Sequence, residues 1–179
     1  MRELRILYHG LGMAGKTTNL EKLKEIYKDR VYDRIHQQTA EGRTVYLDLL
    51  MLKFHTCVQG VDVIVSLFTT PGQKRFKVLR PWLFGHTSSV VFVFDSSRDI
   101  QENMESFYEI KDIISINRIV VQANKRDVPN AVPLEIIKET FNSMPVIPAV
   151  AKDGIGVLET LKEAIKTALK NEEGAVRSS

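Results

Sequence analysis

Gly10, Leu11, Gly12, Met13, Ala14, Gly15, Lys16 and Thr17 follow the pattern G-x-x-x-x-G-K-[ST]. The chemistry open to such a run is phosphate binding. Glycines let successive backbone N–H groups turn toward phosphate oxygens. Lys16 supplies a point charge near the β- and γ-phosphates of a nucleotide, and Thr17 a hydroxyl for Mg2+. Thr18 belongs to the same stretch, at the start of a helix whose N-terminus adds a positive dipole end.

Asn124, Lys125, Arg126 and Asp127 match N-K-x-D. An aspartate carboxylate can accept two hydrogen bonds in one plane, and guanine presents two adjacent donors. Adenine would turn a ring acceptor against the same carboxylate, and unpaired polar groups are how sites reject near-isosteres. Asp127 is therefore expected to read guanine. Lys125 is expected to lay its stem along the base, and Asn124 to tie this loop to the phosphate loop. Val150, Ala151 and Lys152 form a third turn, in which the Ala151 N–H can meet the base carbonyl beside Lys152. Thr69, Thr70, Pro71, Gly72 and Gln73 follow another strand. Gly72 can bring its N–H to a γ-phosphate, and Gln73 can orient an attacking water.

These loops need a scaffold that delivers them to one face. Apolar runs at 4–8, 45–52, 54–58, 61–68, 89–95, 119–123 and 146–150 read as strands. Gly60 between two of them signals an antiparallel hairpin. Helical spacing appears at 17–28, 100–114, 133–141 and 154–170, with a short helix over 74–84 interrupted by Pro81. Residues 29–43 are polar and without period, and 171–179 read as a disordered polar tail. Strands alternating with helices predict an α/β fold of the P-loop NTPase type. The expected sheet is mostly parallel with one antiparallel edge strand and helices on both faces. Ligands then sit beyond the carboxyl ends of the strands, where all four loops fall.

The chain has 179 residues, 44% hydrophobic and 26% charged, which fits one soluble domain over 1–170. A formal charge of +3 is too small to argue for nucleic acid or a membrane surface. Cys57, the single cysteine, excludes a disulfide framework, and the four histidines have no paired spacing. No apolar run approaches the ~18 residues of a membrane span. There is no signal-peptide pattern, Arg2 stands where myristoylation needs glycine, and the chain ends without a prenylation cysteine. The expected setting is the cytoplasm, with no lipid anchor.

Taken with their order, the motifs resemble those of the small Ras-like GTPases over residues 3–170. The likeness is greatest to the bacterial MglA group. It is carried by residues 15–20, by Arg43 and Thr44, by 70–73, by 124–127 and by 157–163. The resemblance implies bound GTP or GDP with Mg2+. It implies that Arg43 acts as an arginine finger from within the chain, that Thr44 senses Mg2+ and the γ-phosphate, and that Gln73 positions water. It implies a dimeric roadblock-type, MglB-like activating partner, downstream effectors, and a role in cell polarity or motility. Thr69 departs from the aspartate typical of Ras-like proteins, as the MglA group also does, and Asp48 is a candidate to replace it. Four residues of straight strand separate Asp48 from Thr44 by about 13 Å, so the two share one ion only if the chain bends. Two expectations follow: a GTP-hydrolysing switch, or a nucleotide-binding scaffold that does not turn over, which Thr69 favours. A P-loop kinase would need an acceptor lid, for which no segment is evident.

Overall fold

The structure, a computed structural model, describes residues 2–36, 48–55, 62–70 and 84–177. In chain order the elements are β1 (Arg2–Gly10), α1 (Lys16–Ile26), β2 (Val31–His36), β3 (Asp48–His55) and β4 (Asp62–Thr69). They continue with β5 (Ser89–Asp95), α2 (Ile100–Lys111), β6 (Ile119–Asn124), α3 (Leu134–Thr140), β7 (Val146–Pro148) and α4 (Val157–Arg177). The seven strands form one sheet in the order β2-β3-β4-β1-β5-β6-β7.

Period-two alternation divides the core into two layers. Ile6 and Tyr8 of β1, Val91 and Val93 of β5, and Val120 of β6 face α1 and α4, with Leu20, Leu23, Val157 and Leu161. Leu7, Val90, Phe92, Phe94, Ile119 and Val121 face the other way, onto Phe107 and Ile110 of α2 and Ile137 of α3. Every residue of β5 is buried, as expected of a central parallel strand covered on both faces.

The fold class follows the sequence expectation, with one rearrangement. β3 alone runs against the rest, pairing antiparallel with both β2 and β4. It is not the edge, because β2 covers it. Val31–His36 lies in the stretch read from sequence as irregular and polar. An edge strand has one neighbour and buries little, so its sequence carries no apolar run: Tyr32 is exposed and Asp33 sits mid-strand.

The runs expected at 45–52 and 54–58 are one strand, β3, over the described residues 48–55, and the ends of both runs lie outside them; elsewhere the expected elements stand, with shifted ends. β7 is three residues rather than five. α4 continues through 171–177, where a disordered tail was expected. Asn171 Nδ2 donates to the Asn117 carbonyl at 3.2 Å, and Glu172 pairs with Arg2. The predicted helix at 74–84, except Phe84, lies outside the described residues.

Candidate functional site

β1, β4, β5, β6 and β7 are mutually parallel, so their carboxyl ends lie along one edge of the sheet. β1 has β4 on one side and β5 on the other, and the chain order reverses there. The crevice above such a reversal is where open α/β sheets hold their ligands.

The loop from Gly10 to Gly15 fills that crevice. Gly10 pairs with Val93 so closely that a Cβ would strike the Val93 carbonyl. Gly15 has φ 109° and lies against the Asn124 amide, so no other residue fits. Met13 is also left-handed, with φ 64°. Reversals of handedness of this kind turn successive N–H groups to one side.

Four of the loop's carbonyls, which would repel phosphate, are taken by the protein's own side-chain donors. Lys16 Nζ donates to Gly10 O at 2.9 Å and to Leu11 O at 2.6 Å. Asn124 Nδ2 donates to Ala14 O at 2.8 Å, and Asn19 Nδ2 to Gly15 O at 2.9 Å. α1 starts with no capping side chain and no acidic residue in its first turn, whereas α2 is capped by Asp99. A helix start of this kind suits an anion.

Asn124 joins the three predicted loops. Its Nδ2 holds the phosphate loop, and its Oδ1 accepts from Ala151 N at 2.9 Å. The expected tie between Asn124 and the phosphate loop is present. The Ala151 N–H is engaged differently from expectation, since a base carbonyl would have to share it with Asn124.

A cleft of about 160 Å³ runs from Met13, Gly15 and Thr18 across to Asp127, Ala151 and Lys152. Asp127 Oδ2 and Lys152 Nζ form an ion pair at 2.5 Å across it. That hydrogen bond from Lys152 holds the Asp127 carboxyl below the usual carboxylate range. The carboxylate is thus ionised and able only to accept, as reading a donor pair requires.

Several supporting residues were not singled out in the sequence. Asp95, at the end of β5, is buried and accepts from Lys125 Nζ at 2.6 Å. Burial pushes its carboxyl up, but Lys125 and the Ser97 hydroxyl and N–H outweigh that, and it titrates below the usual range. Lys125 has φ 62°, a conformation that side chains rarely adopt, and the ion pair to Asp95 helps hold it. Beneath α1, Asn19 exchanges hydrogen bonds of 2.7 and 2.8 Å with Gln122, which also donates to Thr160 at 2.9 Å. All three side chains are fully buried and lock α1 to β6 and α4. A polar residue inside a buried strand, such as Gln122, is the sequence signal that could have found them.

The remaining predicted residues divide by position. Thr17 is exposed at the start of α1. Thr69 is buried, and Asp48 falls opposite it, one step beyond the Leu49–Phe68 pair. Arg43, Thr44, Gly72 and Gln73 lie outside the described residues. The described residues hold no group of three or more histidines, cysteines or carboxylates able to cage a metal. A hydroxyl at Thr17 beside a phosphate loop fits Mg2+, which is normally bound through few protein ligands, phosphate oxygens and water.

With this geometry the comparisons with known proteins agree. The model of the ADP-ribosylation factor family matches residues 1–168. The chain belongs to this family of Ras-like P-loop GTPases. It is 35% identical to the mutual gliding-motility protein MglA of Myxococcus xanthus, across 92% of this chain and 90% of that protein. It is 28% identical to the Ras-related protein RABG1 of Arabidopsis thaliana, across 95% and 85% of the two chains. It is 25% identical to human Rab-like protein 2A, across 83% and 66%. As a Ras-like GTPase closely related to MglA, the chain is a GTP-binding switch. Family membership brings with it Mg2+ and the GTP–GDP pair. Among the described residues, no helix is long and apolar enough to cross a membrane.

Proposed function

We propose that residues 1–170 form one cytoplasmic GTPase domain that binds GTP with Mg2+ and hydrolyses it to GDP and phosphate. Turnover is slow alone and fast with an activating partner. The observation that carries this reading is Asn124, one side chain bonded to both the phosphate loop and the Ala151 turn, beside Asp127. It couples recognition of the base to recognition of phosphate.

In this reading Gly10 to Thr18 cradle the phosphates and Lys16 neutralises charge on the β- and γ-phosphates. Asp127, Lys125, Ala151 and Lys152 hold the base. Thr17 and Thr44 are the protein's ligands for Mg2+, which supplies charge neutralisation when bound. Gln73 orients water and the Gly72 N–H meets the γ-phosphate. Arg43 stabilises transition-state charge, which can be worth ~10³–10⁵ in rate. The Myxococcus relative's name ties that protein to gliding motility. For this chain a role in polarity or motility, a roadblock-type activator and downstream effectors are carried over from the likeness.

A buried Thr69 where a magnesium-facing carboxylate is usual favours a second reading, a GTP-binding scaffold without turnover. Single-turnover hydrolysis with saturating roadblock-type partner separates the two. Arg43→Ala is expected to leave GTP affinity and the basal rate nearly unchanged and to abolish most of the partner's acceleration. Gln73→Ala is expected to lower both rates. The double variant should be little worse than the worse single, because groups acting on one transition state are not additive. Full acceleration in Arg43→Ala would move the finger to the partner. No hydrolysis by the parent under any condition would favour the scaffold.

A further inference from the structure

Gln122 lies on β6 two residues before Asn124, so the two side chains leave the same face of the strand. Asn124 ties the phosphate loop to Ala151. Gln122 repeats that span one step deeper. Its Oε1 accepts from Asn19 Nδ2 at 2.7 Å, and its Nε2 donates to Asn19 Oδ1 at 2.8 Å and to Thr160 Oγ1 at 2.9 Å. Asn19 Nδ2 also donates to Gly15 O at 2.9 Å, and the Thr160 hydroxyl donates to Gly156 O at 2.6 Å. Gly15 ends the phosphate loop. Gly156 follows the turn that carries Ala151 and Lys152, whose ends, Val150 and Ile155, exchange backbone hydrogen bonds of 3.0 and 3.2 Å. Gly156 is held against β7 so closely that a Cβ would strike the Pro148 carbonyl.

The Gly15 carbonyl can only accept, so the Asn19 amide must turn its NH2 group toward it. Asn19 Oδ1 then accepts from Gln122, the second Gln122 N–H goes to Thr160, and the hydroxyl proton goes to Gly156. Every N–H and O–H of the three buried side chains is used. The backbone does not require this network. Gly15 O and Gly156 O also accept from the N–H groups of Asn19 and Thr160, each at 3.0 Å. Three apolar side chains together would leave neither carbonyl unpaired, and replacing all partners of a hydrogen bond at once can be nearly neutral for stability. Apolar packing would not reproduce the direction of these bonds, whereas a fully satisfied polar network fixes one arrangement. The arrangement fixed here is the separation of the phosphate loop from the Ala151 turn, which face each other across the cleft.

We propose that Gln122 is a positioning residue for nucleotide binding, which with Asn19 and Thr160 sets that separation to the length of a guanine nucleotide. The inference rests on the reading of the cleft as the nucleotide site. None of the three side chains lines the cleft, so they act through Gly15 and Gly156.

The test measures GDP affinity, by displacement of a fluorescent GDP analogue well below the melting temperature, and thermal melting without nucleotide. Four proteins are compared: the parent, Thr160→Val, Thr160→Ser, and the triple variant Asn19→Leu, Gln122→Leu, Thr160→Val. Removing a group that holds a ligating side chain in place costs about 10- to 100-fold in affinity at metal sites, and Thr160→Val and the triple variant should lose GDP affinity on that scale. The triple variant should melt near the parent, and Thr160→Ser, which keeps the hydroxyl, should bind GDP as the parent does. Should the triple variant not fold, the Val and Ser pair at position 160 decides the matter alone. Parental GDP affinity in Thr160→Val, or a Thr160→Ser variant as weak as Thr160→Val, overturns the positioning role while the nucleotide site stands. A parent that binds no guanine nucleotide removes both.

Discussion

In the proposed reading, Asp127 carries the choice of base. Its carboxylate is ionised and paired with Lys152, so a bound guanine must share or displace that ammonium. Asp127→Asn offers a donor as well as an acceptor, which suits xanthine. Displacement of a fluorescent nucleotide should show GTP binding weakened, by up to ~10⁴-fold where a site is built around the lost bond, and XTP binding strengthened. Equal affinities in parent and variant would remove Asp127 from the base.

Tyr8 supplies a second residue-scale prediction. Its hydroxyl is fully buried with no hydrogen-bond partner among the described residues, and burial pushes the phenol well above its ordinary value. An unsatisfied buried group costs ~1–3 kcal/mol, so Tyr8→Phe should stabilise the fold by about that amount. The folded phenol resists ionisation that the unfolded chain undergoes from about pH 10. Unfolding of the parent is therefore favoured as pH rises beyond that point, and the advantage of Tyr8→Phe should widen. Denaturant melts at neutral and alkaline pH check both signs. The nucleotide motifs were legible because they are short, local and bounded by strand and helix. The Asn19–Gln122 bond was not, because it spans 103 residues, and Gln122, though a polar residue in an apolar strand, does not by itself name its partner.

At the scale of elements, β5 does more than fill the core. Its last residue, Asp95, reaches Lys125 in the turn after β6, the neighbouring strand. Asp95→Asn should lower stability by ~1.5–3 kcal/mol, the usual range for a hydrogen bond to a charged group. It should also weaken guanine-nucleotide binding, although Asp95 is not expected to touch the base. Its folded carboxyl titrates below the unfolded value of about 3.9. The difference between parent and variant is thus present at neutral pH and lost as pH falls through the folded value. A pH series of melts tests this, and a constant difference down to strong acid would contradict it. Buried strands such as β5 and β6 were readable as continuous apolar runs. β2 was not, because it pairs on one side only, and neither was the end of α4, whose last turns are polar and joined to the body through Arg2 and Asn117.

At the scale of the molecule, one sheet edge gathers the ends of β1, β4, β6 and β7, and the phosphate and base loops meet there through Asn124. Slow intrinsic turnover and partner control follow if the groups that complete the transition state, Arg43 and Gln73, come from segments outside that framework. The most direct measurement is a chromatographic time course of nucleotide bound to purified protein loaded with GTP, with a parallel loading of ATP and with roadblock-type partner added midway. The account predicts retention of GTP and not ATP, slow conversion to GDP, and faster conversion once the partner is present. Equal retention of ATP, or GTP that stays intact before and after the partner is added, would contradict it.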